Sequence, residues 1–294
     1  MGTRIDAGMI DKWELYAIAQ YCDQRVSNGA GGTEPRFTCN VYIQSQQDAY
    51  TVLSDLAAIF RGITFWGNDQ IYVRADVPQD EVDFTYHASN VIDGLFTYGG
   101  GSYKNRYSSA LVSWSDPQNH YSDTTESVYD SDLVKRYKVN QMSMTAIGCT
   151  SQSEAHRRGR WALLSNARDG TVSFGVGLDG YIPLPAEIIG IADPFRAGKQ
   201  NGGRIRTVNG RNVTLDRPAD YTAGDRLVVN LPDGKAQTRT IAAVSADKQT
   251  VTVATSFRLQ PEPGAVWAID SDNLAIQYFR VTSIRANDDS NGGF

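Results

Sequence analysis

Three cysteines, three histidines and no long apolar run are the first things this 294-residue chain lacks. Cys22, Cys39 and Cys149 are an odd set without CxxC spacing, which argues against a disulfide framework or a zinc ribbon and for buried free thiols. His87, His120 and His156 stand far apart, and none falls in H-E-x-x-H or another metal spacing. No stretch approaches the roughly eighteen continuous apolar residues of a membrane helix. The start, Met1-Gly2-Thr3-Arg4-Ile5, lacks the apolar core of a signal peptide, so the expected product stays in the cytosol and is not secreted. Basic excess is missing too: the net charge is -5, which gives no overall attraction to nucleic acid or to anionic lipid.

What is present is ample core material. Hydrophobic residues make up 41% and aromatics 10%, enough for globular folding with room for two domains. Asp11 with Glu14 forms a capping box, and Ile10, Trp13, Ala17 and Tyr21 recur at helical spacing before the Asn28-to-Gly32 break, a flexible loop. Arg36 to Ile43 alternates as a strand. Ser45 with Asp48 opens a helix carrying Ala49, Val52, Leu53, Leu56, Ile59 and Phe60 on one stripe, with Gly62 as its stop. Ile63 to Trp66 and Ile71 to Val73 flank Gly67-Asn68-Asp69-Gln70 as a hairpin. Tyr107 to Trp114 reads as a strand, and the polar, acidic stretch from Asp116 to Asp132 as a long surface excursion.

The best-punctuated stretch runs from Val139 to Gly190. A strand over Val139 to Ile147 is followed by a second capping box, Ser151 with Glu154, and a helix through Leu164. Asp169-Gly170 then turns the chain into a strand over Thr171 to Leu178, and Asp179-Gly180 turns it again. After Pro194 the composition shifts to short strands, and a repeat emerges. Ile205 to Val208, a turn and Val213 to Leu215 match Ile241 to Val244, a turn and Val251 to Val253; a Gly-led strand follows each copy, from Gly224 and from Gly264. Two such units together can close a barrel or sandwich of about six strands, since neither alone has enough apolar face. Ala275 to Ile284 makes one more strand, and Asn287 to Gly293 a turn whose partner strand is absent, so the natural protein is expected to continue.

Three runs carry a family resemblance: N-x-M-x-M-T-A-I-G-C-T from Asn140 to Thr150, S-E-A-x-R-R-G-R-W-A-L-L from Ser153 to Leu164, and V-G-L-D-G-x-I-P-L-P from Val176 to Pro185. With them the chain resembles a fragment of the central tail-tip hub proteins of lambda-like siphophages. That resemblance implies a structural part of a phage or prophage virion, assembled in the host cytoplasm and placed at the tail tip. It implies a homotrimer that joins the tail tube to the tip fibre and closes around the end of the tape-measure protein, with receptor recognition in a C-terminal region that this chain does not contain.

The expected fold class is therefore α+β: a β-rich hub region with a few packed helices over residues 1–194, divisible near residue 85, a small all-β module over 195–271, and a returning strand over 272–294. No catalytic, cofactor-binding or metal site is expected. No G-x-S-x-G turn occurs. Asp80, Glu81 and Asp83 cluster, as do Glu126, Asp130 and Asp132, but in polar surroundings that would not raise a carboxyl pKa for acid catalysis. The acidic stretch also lacks the D-x-D-x-D-G spacing of a calcium loop. Tyr98 to Tyr107 mixes glycines, aromatics and cations without the P-loop pattern and reads as a flexible turn. Arg157, Arg158 and Arg160, with Arg168, form a basic helix face: solvated by default, and otherwise a candidate contact for an acidic neighbouring subunit or for DNA passing through the tail. The competing reading is a carbohydrate-binding or peptidoglycan-degrading tail module, whose carboxylates would be Glu126 and Asp130.

Overall fold

A computed structural model describes residues 6–44, 46–67, 70–79, 81–197, 202–271 and 276–285. The chain divides into two compact units, one from Met1–Val77 with Gly100–Gly170 and the other from Pro78–Gly99 with Thr171–Phe294.

The first unit opens with helix α1 (Lys12–Asp23), whose N-cap Asp11 accepts a bond from the Glu14 amide at 3.2 Å. Strands β1 (Arg25–Ser27) and β2 (Thr33–Pro35) then pair antiparallel. The glycine-rich stretch between them is a built turn: Asn28 Oδ1 accepts from the amides of Ala30 and Gly32, and Gly29 and Gly31 take φ of 76° and 86°. The strand expected over Arg36 to Ile43 does not form. Residues 36–44 run as an irregular segment tied to other elements, with Phe37 N bonded to Cys22 O and Asn40 N to Gly148 O, so its alternation serves packing and not a ladder.

Helix α2 (Ala49–Ile59) is capped by Asp48, which accepts from the amides of Tyr50 and Thr51; Ser45 lies outside the described residues. The helix ends at Phe60 and Arg61, and Arg61 takes the left-handed turn with φ of 62°. Gly62 is needed for space instead, because a Cβ there would sit 2.2 Å from the Phe60 ring. Strands β3 (Gly62–Gly67) and β4 (Gln70–Ala75) form the expected hairpin, with Asn68 and Asp69 of its turn outside the described residues. The chain then supplies β5 (Phe84–His87) and β6 (Thr97–Gly99) to the second unit.

Back in the first unit, β7 (Ser109–Asp116) pairs along its full length with β8 (Ser122–Tyr129), so the middle of the expected acidic excursion is an eight-residue strand and not a loop. Only Val128 of β8 is buried, which is why the segment shows no apolar period. After helix α3 (Ser131–Tyr137), capped by Asp130, strand β9 (Gln141–Thr145) joins β7 in parallel to complete the order β8-β7-β9. Helix α4 (Gln152–Ala167) covers this sheet, and Ala110, Val112, Val128, Cys149, Ala155 and Leu163 make the core between them. The approach is close at Gly159, where a Cβ would lie 2.7 Å from Val112 Cγ2 and 2.9 Å from Val128 Cγ2. Gly159→Ala is expected to cost about 1–3 kcal/mol by overpacking, against the small gain alanine would bring to an open helix. Urea unfolding checks it; an unchanged or raised midpoint would contradict this packing.

In the second unit β10 (Thr171–Ser173) pairs with β6, a shorter strand than the Thr171 to Leu178 expected. Strand β11 (Ile188–Ala192) is the centre of a three-stranded sheet, parallel to β5 on one side and antiparallel to a later strand, β18 (Gln277–Arg280), on the other. After the short helix α5 (Pro194–Ala197) come β12 (Gly202–Asn209), β13 (Asn212–Leu215), β14 (Arg226–Asn230), β15 (Ala236–Val244), β16 (Thr250–Val253) and β17 (Val266–Asp270), and β18 (Gln277–Arg280) returns to β11.

Strands β12 to β17 close a barrel in the order β12-β13-β16-β15-β14-β17. Its two halves repeat the same connections. Two of the three sets of equivalent strands, β13 with β16 and β14 with β17, pair with each other about a pseudo-twofold axis, with Val213 opposite Val251 and Val228 opposite Ala268. The two hairpins carry bulges at matching places, between Ile205 and Thr207 and between Ile241 and Ala243. Gly224 and Gly264 adopt φ of 101° and 89°, and their amides bond to Ile241 O and Ile205 O respectively. Trp267, Tyr221, Leu215, Leu227, Ile241 and Ile269 fill the interior.

The outer surface of β14 and β17 is buried as well, because Val228 and Ala268 pack with Val82, Ala192 and Ile276. Beside them the Asn230 amide seals the edge of β5, accepting from Thr85 N at 3.0 Å and donating to Thr85 O at 2.9 Å. That edge is closed by a side chain doing the work of a strand.

Candidate functional site

The first turns of α4, with β2 and β8 beside them, gather Glu34, Glu126, Glu154, His156, Arg157 and Arg158. Ser151 starts the helix without the expected capping box. Its hydroxyl donates to Glu34 on β2 at 2.9 Å, and Ser153 and Arg157 donate to the same carboxylate. Burial by itself would raise the Glu34 carboxyl, but hydrogen bonds from Ser153, Arg157 and Ser151 outweigh it and hold it below the ordinary carboxylate range. Glu154 turns the other way, into the interior, where it accepts from Thr38 N and Thr38 Oγ1 and pairs with Arg158.

The predicted basic face is thus divided. Arg158 is buried, bonded to Glu154 and to Ile147 O at 2.8 Å. Arg157 is half-buried, paired with Glu34 and donating to Arg36 O at 3.0 Å. Arg160 and Arg168 remain exposed, and Arg160 has no hydrogen-bond or ion partner among the described residues. Sequence spacing put all four on one helix, with Glu154 one turn before Arg158; it carried no sign of Glu34, which claims Arg157.

An open cleft of about 400 Å³ lies along the same helix, lined by Ser27 to Ala30 and by Glu126, Gln152, Ser153, His156 and Arg157. Glu126 accepts from Gln152 Nε2 at 2.8 Å and lies 2.9 Å from His156 Nδ1. Burial pushes its carboxyl up, but the bonds from Gln152 and His156 prevail and lower it. An ionised carboxylate can act as a base or hold a cation, but it is the opposite of the raised acid that glycoside hydrolysis requires. Glu126 is the one carboxylate on the lining; Asp130 is elsewhere, capping α3.

The remaining candidates are dispersed. His87 is buried in the second unit, and His120 sits in a turn with φ of 54°. Asp83 accepts from Ile188 N, and Asp80 lies outside the described residues. In the Tyr98 to Tyr107 segment the Gly101 amide donates to Asp169, so a carboxylate occupies the place a phosphate would need. Cys149 is buried, but Cys22 is half-buried and Cys39 exposed, which corrects the expectation of three buried thiols; all three are free. Among the described residues no group of three or more His, Cys, Asp or Glu side chains is placed to hold a metal ion, and no helix is long and apolar enough to cross a membrane.

Comparison with known proteins gives a consistent result. The chain is 43% identical over 292 residues to "Tip attachment protein J" of Escherichia phage SECphi4, covering 98% of this chain and 26% of that protein. It is 42% identical over 285 residues to the protein of the same name from Escherichia phage SECphi27, covering 96% of this chain and 24% of that one. The chain therefore spans about a quarter of the length of these curated relatives. A family model described as "Putative phage tail protein" matches residues 48–208, more than half of the chain and including α2, the β8-β7-β9 sheet, α4 and the start of the barrel. The chain belongs to this family of phage tail proteins.

Proposed function

We propose that this chain is the hub-region part of a phage tail-tip protein and that it acts as a scaffold, without enzymatic activity. In this reading it assembles as a homotrimer in the host cytoplasm, sits in the virion at the end of the tail tube, and contacts tail-tube, tip-fibre and tape-measure proteins. The observation that carries it is the near-complete alignment of the chain with two proteins named for tip attachment. Residues 195–271 are read as a module inserted into the hub fold, with 272–294 returning to it; the pairing of β11 with β18 on either side of the barrel supports this. On α4, Arg160 is the member of the predicted trio that is free to meet an acidic neighbour or passing DNA, and Arg157 and Arg158 are read as internal supports. A cryo-electron map of the intact tail tip tests the assignment. Density for this segment around the central axis is the expected result, and density on a peripheral fibre would end it.

The Glu126 and His156 cleft gives the competing wall-degrading reading one specific foothold. The scaffold reading predicts no release of soluble fragments from purified peptidoglycan by the chain, and no difference between it and Glu126→Gln. Turnover abolished by that substitution would decide for the enzyme.

A further inference from the structure

Strand β8 is an open edge. In the order β8-β7-β9 it has a neighbour on one side alone, and the strands around it fix which of its backbone groups face outwards. Asp130 N donates to Ser108 O, so the even-numbered residues of β8 make the ladder with β7. The odd-numbered residues of β7 turn the other way, with Ser109 N bonded to Asn140 O and Ala146 N to Ser113 O. The N–H and C=O groups of Asp123, Thr125, Ser127 and Tyr129 therefore point away from the sheet, and among the described residues none of them has a hydrogen-bond partner. Exposed edges are commonly blunted by a proline, a lysine, a bulge or a short strand. β8 has none of these, and its register with β7 is unbroken over eight residues. The edge of β5 differs, because the Asn230 amide closes it.

We propose that this edge receives an extended, cationic segment of another tail protein, added to the sheet as a fourth strand beside β8. It rests on the scaffold reading above for the source of that segment. Unpaired backbone groups in a row call for an extended strand, and charge selects which strand. Asp116, Asp123, Glu126, Asp130 and Asp132 fall between Tyr107 and Val134, a span without lysine or arginine. Glu126 lines the open cleft with Ser27 to Ala30, and a residue opposite it on an added strand would stand beside its carboxylate, with Cβ atoms about 5 Å apart. A lysine or arginine gains a partner there. A second copy of β8 does not. Paired residues share a face, so the antiparallel self-pairing that engages all four outward residues sets Asp123 against Tyr129, Thr125 against Ser127 and Glu126 against Glu126. That register brings two carboxylates together at its centre, and the registers on either side of it leave Tyr129 or Asp123 unpaired.

Fluorescence anisotropy of the whole chain with a labelled peptide, acetyl-Thr-Val-Thr-Lys-Thr-Val-Thr-amide, and with its glutamate counterpart tests this. The lysine peptide is expected to bind roughly tenfold more tightly than the glutamate one, and Glu126→Lys to reverse the order. Thr125→Pro removes an outward N–H and none of the bonds to β7, so it should weaken the lysine peptide roughly tenfold while circular dichroism shows the chain folded. Should that variant not fold, a fully N-methylated lysine peptide, which has no backbone donors, withdraws the same bonds from the ligand's side and should not bind. In assembled tails a photo-crosslinking residue in place of Ser127 should yield an adduct with a lysine- or arginine-bearing segment of a different tail protein. No binding, equal binding of the two peptides, binding that survives N-methylation, or adducts with this chain alone would overturn the proposal. None of these outcomes bears on where the segment lies in a cryo-electron map, so the scaffold reading fails on separate grounds.

Discussion

Replacing Arg158 with methionine should destabilise the first unit by about 3–5 kcal/mol. The guanidinium is 5% exposed and its partner Glu154 is 1% exposed, so the substitution leaves a carboxylate in the interior without its cation. The loss is larger than for a surface pair of the same i,i+4 spacing, worth a few tenths of a kcal/mol, because water cannot replace the missing charge. Three chain segments are held together at this point. Arg158 bonds to Ile147 O after β9, and Glu154 bonds to the main chain and hydroxyl of Thr38 in the irregular segment after β2. The Glu154→Leu/Arg158→Met double variant should recover much of the loss by removing both charges. Chemical denaturation of the two variants checks this, and a single variant as stable as wild type would show that the pair is not desolvated. Arg160→Ala on the same helix is the control and should shift stability by no more than about 0.5 kcal/mol.

The second large effect is a dependence on pH that resides in the other unit. His87 is 2% exposed at the end of β5. Its Nδ1 accepts from the Ser89 amide at 3.2 Å, while its Nε2 has no hydrogen-bond partner among the described residues. A Cβ on Gly202 would lie 2.7 Å from its Cδ2, so there is no room to admit solvent from the barrel side. Burial lowers its pKa from 6.5 to about 4, with the Arg217 and Arg204 cations adding to the effect and Asp216 and Asp193 opposing it. Because the unfolded imidazole takes its proton near pH 6.5 and the folded one only near 4, stability is complete above pH 6.5 and declines as the pH falls towards 4. The full loss is about 3 kcal/mol, more than half of it complete by pH 5. Glu34, Glu126 and Asp216, all held below their usual values, contribute losses of the same direction at lower pH, so the interval from 6.5 to 5 isolates the histidine. Urea unfolding at several pH values in that interval, with His87→Gln beside wild type, measures it. An equal slope in both proteins would locate the proton uptake elsewhere.

Much of the fold could be read in the sequence where the pattern reported a local requirement. The Asp11 cap, the hairpin across Asn68 and Asp69 and the tandem barrel repeat were legible because caps, turns and alternation follow from nearest neighbours. Strand β8 was not, because its partner β7 supplies the ladder and α4 the cover, and one buried valine leaves no apolar period. The strand expected after Arg36 failed for the converse reason: its alternation is real, but its polar groups are engaged by α4 and by the Gly148 turn. Ser151 and Glu154 have the spacing of a capping box, yet other partners take both side chains: distant Glu34 for the first, and Arg158 one turn on together with distant Thr38 for the second.

By itself the sequence determined the class of fold, the tandem repeat of a small all-β module whose closure as a barrel and not a sandwich the structure supplied, and a kinship carried by contiguous motifs around α4, because each depends on order along the chain. Only the tertiary structure decided which charges and which apolar residues are free. A helix sequence cannot say that Glu34 lies beside Arg157, that Thr38 and the Ile147 carbonyl help bury the Glu154–Arg158 pair, or that Trp13 and Trp66 are exposed. These are facts of long-range packing, since Glu34 lies 123 residues from Arg157 along the chain and Thr38 lies 116 from Glu154.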